Sequence, residues 1–160
     1  MNVIDLVLAV LMIAAIALET KRGFGRAIFD FAALFISVRV ASLVAPGTAK
    51  AYHIAKDAPA NEAIWLAALF LLFAGILLYI GKLAYDRTQL TLEVFDPLIG
   101  AALGIGLGVI VCHVLVTTLA VSAGVNGQLP DVITNSGVGS EFYSFDTYHR
   151  VMDFMYNLGG

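Results

Sequence analysis

Three ionisable residues stand inside otherwise apolar runs of this 160-residue chain: Asp5, Arg39 and His113. A charge near the centre of a membrane-crossing helix costs roughly 2.5–3.5 kcal/mol on insertion scales, so each must be paired, reach the headgroups or serve a function. Three uses remain open: an Asp5–Arg39 ion pair that locks helices together, with His113 close by; snorkelling of Arg39 by itself; or a path for protons or a polar solute. His53 and His149 lie outside the apolar runs and leave His113 without companions at ligand spacing, so no metal site is expected. Neither a nucleophile–base pair nor paired carboxylates at helical spacing give ground for catalysis, and no cofactor is implied. The single cysteine, Cys112, provides neither an internal disulfide nor a cysteine-based zinc site.

A second pattern concerns packing. Gly100, Gly104 and Gly108 recur every fourth residue, and Cys112 extends the row. On a helix these small residues form one stripe against which another backbone can come close. Three interior glycines would each cost about 1 kcal/mol against alanine in a water-exposed helix, whereas in a bilayer the backbone has no alternative partner. The stripe serves packing within the chain, self-association, or the lining of a conduit. Asp96 reads as the N-cap of this helix with Pro97 at its first position, and Asp30 likewise reads as the opener of an earlier one.

These groups need a frame, and composition supplies it. The chain is 60% hydrophobic and only 13% charged, with a mean hydropathy of +0.89. A soluble domain carries about 25% charged residues, so this is a membrane protein. A formal net charge of −3 leaves no basic patch for nucleic acid. Four apolar runs, Val3–Leu18, Ala27–Ala45, Ala63–Gly81 and Pro97–Val121, approach the roughly 20 residues that cross a bilayer. The first reads as a retained span, because Asp5 lies where a removable leader would be basic. Pro46-Gly47 marks the end of the second run, and Thr48–Asn61 reads as a polar loop.

The expected fold is all-α: a four-helix transmembrane bundle of two helical hairpins over residues 1–121, a Gly/Asn/Ser/Pro-rich linker over 122–139, and an amphipathic C-terminal helix over 140–160. That last helix lies on the membrane surface, meets a partner, or docks on its own bundle. Alternation of the spans puts Asp5, Arg39 and His113 at similar depth in one leaflet. Phe29-Asp30 before the second run and Phe95-Asp96 before the fourth hint at internal duplication. Lys21, Arg22, Arg26, Lys82 and Arg87 in the first and third loops place those loops in the cytoplasm and both termini outside.

On these residues the chain resembles the colicin V production protein (CvpA) family. One motif is an acidic residue opening the first span, Asp5, followed after the apolar run by Arg22-Gly23-Phe24-Gly25-Arg26. The other is Asp96 followed by Gly100, Gly104 and Gly108. Pro97 and Ala27 stand where members often carry an arginine and an acidic residue. The resemblance implies a four-span bacterial inner-membrane protein tied to colicin V production or export and to envelope function. The expected partners are the lipid bilayer and either further copies or an export complex, reached through the glycine stripe and the C-terminal helix. A small oligomeric transporter lined by Asp5, Arg39 and His113 is the alternative.

Overall fold

The computed structural model describes residues 3–88, 90–123 and 131–146. Four long helices dominate: α1 Val3–Arg22, α2 Phe24–Ala51, α3 Ala58–Thr88 and α4 Asp96–Ser122, the last preceded by a 3₁₀ turn over Glu93–Phe95. Two short helices, α5 Asp131–Thr134 and α6 Gly137–Ser144, follow. At 1.5 Å per residue the long helices measure about 30 to 46 Å, enough to cross the hydrocarbon. At most 39% of the apolar window in any of them is buried. The outward remainder, with Leu43, Leu71, Leu72 and Ile80 among it, is a surface that only lipid or an apolar partner can solvate. The chain is a multi-pass membrane protein.

The helices run past the expected boundaries. α1 and α2 are separated by Gly23 alone, whose φ of +76° and ψ of 173° reverse the chain in a conformation that L side chains avoid. α2 continues through Pro46 to Ala51 rather than stopping at Pro46-Gly47. Its end is fastened by Asn61, which is 1% exposed. The Asn61 amide donates to the carbonyls of Ala49 (2.7 Å) and Tyr52 (3.0 Å) and accepts from the N–H groups of Ile54 (2.7 Å) and Ala55 (3.2 Å). Trp65 adds an indole N–H to the Tyr52 carbonyl at 2.9 Å. Four hydrogen bonds on one buried side chain hold the α2–α3 connection shut and offset the acceptor that Pro46 leaves unpaired.

The most extensive contacts join α2 to α3 and α1 to α4, with α4 also packed on α2 and α3, while α1 barely touches α2. The glycine row explains the α1–α4 pair. An added Cβ at Gly100 would overlap the Glu19 carbonyl; at Gly104 it would lie 2.8 Å from Ile16 Cα; at Gly108 it would meet Met12; and the Cys112 thiol donates toward the Leu8 carbonyl at 3.6 Å. The matched numbers run in opposite senses, so the two helices are antiparallel along the whole stripe. α2 carries its own small-residue row, Ala33, Ser37, Ala41, Ala45 and Ala49, all buried. With it pack Leu66, Phe70 and Ala74 of α3 and Leu107 and Val114 of α4.

The segment after α4 returns to the bundle. Ile133, fully buried, joins Ile4, Leu8, Cys112, Val116 and Ala120 in a second apolar cluster, against which Phe142 packs. α6 starts at Gly137, capped by Ser136 Oγ accepting from Gly139 N–H at 2.7 Å, and ends where Phe145 turns left-handed at φ 52°. The part of the expected 140–160 helix from residue 147 onward lies outside the described residues.

Candidate functional site

Where α1 ends and α2 begins, four charged side chains interlock. Glu19 and Arg22 sit three residues apart on α1, and Arg26 and Asp30 four apart on α2, spacings that bring side chains together on a helix. Gly23 folds the two pairs onto each other. Arg22 Nη1 donates to Glu19 Oε1 at 3.0 Å and to Asp30 Oδ2 at 2.7 Å. Arg26 Nε donates to the same Oδ2 at 3.1 Å, and its Nη2 lies 3.0 Å from Oδ1, an ion pair whose angle falls short of a hydrogen bond. Arg26 also reaches across to the Leu78 carbonyl of α3 at 3.4 Å. The carboxylates are buried, Asp30 at 1% and Glu19 at 3% exposure, whereas the Arg22 side chain is 44% exposed. Charges taken out of water in this way hold only as a set, since removing one partner from a buried pair costs about 3–5 kcal/mol. Glu19 Oε2 is buried without a hydrogen-bond partner among the described residues.

The start of α4 seats against this junction. A Cβ on Gly23 would come 3.3 Å from Asp96 Cβ, and one on Gly100 would lie 3.3 Å from the Gly23 carbonyl carbon as well as overlapping Glu19. A Cβ on Gly25 would overlap the Leu90 carbonyl, so the same short stretch also supports the α3–α4 connection. The arginine–glycine motif and the aspartate–glycine motif, about seventy residues apart in sequence, therefore form one site. The Asp96 carboxylate accepts from Leu92 N–H at 2.6 Å and Thr91 Oγ at 2.7 Å. Asp96 is the first residue of α4 rather than its N-cap, and it holds the preceding turn instead of the helix amides. Asp30 is not a cap either: it lies in the seventh position of α2 and serves as the acceptor for both arginines. The proposed equivalence of Asp30 and Asp96 fails with it.

The expected cluster of Asp5, Arg39 and His113 does not assemble as one group. No ion pair links Asp5 to Arg39 among the described residues; Arg39 is exposed on α2. The physical reason is that α4 and not α2 is the neighbour of α1. Asp5 and His113 instead meet the returning segment. Ser136 Oγ donates to Asp5 Oδ1, His113 Nδ1 lies 2.7 Å from the Phe142 carbonyl oxygen, and its ring stands 5.0 Å from that of Phe145. The glycine stripe is filled by α1 and is not open to a partner. No group of three or more metal-ligating side chains occurs among the described residues.

Residues 4–144 match the family described as colicin V production protein. The chain belongs to the colicin V production protein family. No curated protein and no solved structure matches this family member. The matched residues take in the four long helices, the charged junction and the α5–α6 segment.

Proposed function

We propose that this family member is an accessory protein of the bacterial inner membrane that supports the production or export of colicin V, or of a comparable envelope cargo, by assembling with partner membrane proteins. Both termini are on the periplasmic side in this reading, and an alkaline phosphatase fused after Gly160 would be active. One observation carries the proposal. The paired charged and polar side chains gather at the two ends of the bundle, in the Glu19–Arg22–Arg26–Asp30 set and in the Asp5–Ser136 and His113–Phe142 contacts, while Leu34, Ala41, Phe70, Leu107 and Val114 fill the interior between them. An apolar middle suits a scaffold and opposes a solute path. With the glycine stripe occupied, a partner or a second copy would meet the lipid-facing side of α3 and the exposed Val138 and Tyr143 of α6. This role needs no catalytic group and no cofactor.

A second reading, a small oligomeric conduit, is favoured by buried polar atoms that no hydrogen bond satisfies among the described residues, Glu19 Oε2 and the Thr117 and Thr118 hydroxyls. The two separate by experiment. A strain lacking the protein and carrying the colicin V determinants should regain colicin release on re-expression of the chain, while proteoliposomes of the purified protein pass no protons. Proton flux abolished by Glu19→Gln would overturn the accessory role.

A further inference from the structure

Beside the charged junction lies a shallow, open pocket of about 350 Å³ lined by Arg22, Arg26, Lys82, Tyr85 and Asp86. We propose that this pocket binds a phosphate group, and that its occupant is the headgroup of an anionic membrane phospholipid.

The chemistry comes first. Arg22 turns one nitrogen, Nη1, to both buried carboxylates, and Arg26 turns Nε and Nη2 to Asp30. The remaining guanidinium N–H groups, Arg22 Nε and Nη2 and Arg26 Nη1, belong to side chains that line the pocket. Glu19 and Asp30 thus act as an anchoring layer that fixes two planar forks in place, and a fork held in advance loses little freedom when it takes a phosphate oxygen. Lys82, exposed on α3, adds a third cation, and the Tyr85 hydroxyl adds a donor. Asp86 at the exposed rim opposes multiply charged anions, which favours a singly charged phosphodiester over a free phosphate dianion.

Position selects the lipid. Lys82 is the first residue after the apolar run Ala63–Gly81 of α3, Arg22 is the last of α1, and Arg26 lies in the first turn of α2. The pocket therefore sits where apolar helix surface gives way to polar ends, at headgroup depth, and it opens between helices rather than into the core. Basic pockets between spanning helices are suited to phospholipid headgroups for this reason.

The test uses the purified full chain in a neutral detergent. Unfolding temperature is followed during titration with short-chain phosphatidylglycerol, with phosphatidylcholine of the same chain length, and with inorganic phosphate. Arg22 and Arg26 also hold the buried carboxylates, so the variant is Lys82→Gln, and Arg87→Gln is the control with the same change of charge outside the pocket. Phosphatidylglycerol should stabilise the chain more than phosphatidylcholine, and Lys82→Gln should weaken its apparent affinity about tenfold while Arg87→Gln changes it less than twofold. A Lys82-dependent response to phosphatidylglycerol alone supports the lipid. The same response to inorganic phosphate alone keeps the phosphate site and overturns the lipid as its occupant. Equal effects of the two variants, or no difference between the two lipids together with no Lys82-dependent response to inorganic phosphate, overturns the site itself.

Discussion

Gly104 is the most informative position in the bundle to fill. A methyl group there would lie 2.8 Å from Ile16 Cα and 3.0 Å from the Ala15 carbonyl oxygen, both backbone atoms with no rotamer to yield. Carbon atoms rest about 3.5–4.0 Å apart, so α1 must move away by about 0.7 Å, and a gap of 0.5–1 Å forfeits a quarter to a half of the dispersion energy of each contact it opens. That loss runs along the whole antiparallel stripe from Gly100 to Cys112. Overpacking of this kind costs about 1–3 kcal/mol, against a helix-propensity gain of about 1 kcal/mol, for a net destabilisation of up to about 2 kcal/mol. Gly104→Leu should prevent the α1–α4 pair from closing. Gly108→Ala meets mainly the Met12 sulfur, the far end of a flexible side chain, and should cost less. Gly75 has nothing within 4 Å, and Gly75→Ala should be neutral or stabilising. The assay is equilibrium unfolding in mixed micelles, read through Trp65, the sole tryptophan. Equal stability of Gly104→Ala and Gly75→Ala would refute close approach along the stripe.

Other expectations rest on single side chains. Asp30→Asn removes the negative charge that two arginines share and turns one carboxylate oxygen into a donor, and should cost about 3–5 kcal/mol, whereas Arg39→Gln, at an exposed position, should stay within about 0.5 kcal/mol in the same unfolding assay. The double exchange Asp5→Arg with Arg39→Asp should recover no more folded protein than either single change, because these side chains do not meet. Asn61→Ala forfeits four hydrogen bonds at the end of the α2–α3 connection and should cost about 2–4 kcal/mol, with a shift in Trp65 emission as its link to Tyr52 loosens. Ser136→Ala removes both the α6 cap and the contact to Asp5, at about 1–2 kcal/mol. Faster hydrogen exchange over residues 131–146, with the four long helices unchanged, checks it.

The spans were legible because length and hydropathy alone decide them, and the glycine row was legible because four-residue spacing is a helical property. Azimuth was not. Asp5, Arg39 and His113 share a depth, yet depth says nothing about which helix stands next to which, and α4 rather than α2 is the neighbour of α1. The charged junction was hidden by an expected loop: Glu19 to Arg26 looks like a polar turn until α1 and α2 are seen to run to within one residue of each other. The i,i+3 spacing of Glu19 and Arg22 and the i,i+4 spacing of Arg26 and Asp30 were the available signal. So was the second small-residue row, Ala33 to Ala49, which alanine's ordinary place in apolar helices disguised. Pro46 misleads in the opposite direction, since the hydrogen bonds that hold the helix end beyond it come from Asn61, twelve positions after Ala49 and nine after Tyr52.

The antiparallel seating of α1 in the glycine groove can be read with the cysteine the protein already has. Cys112 lies 3.6 Å from the Leu8 carbonyl, so Leu8→Cys places a second thiol opposite the first. Mild oxidation of this variant in native membranes should yield a monomer with an internal disulfide that reduction reverses, and no such bond when Val44→Cys, on the exposed side of α2, is used instead. A disulfide-linked dimer through Cys112, with no internal bond, would mean that the groove receives another chain, and would contradict the packing on which the site and its proposed role depend.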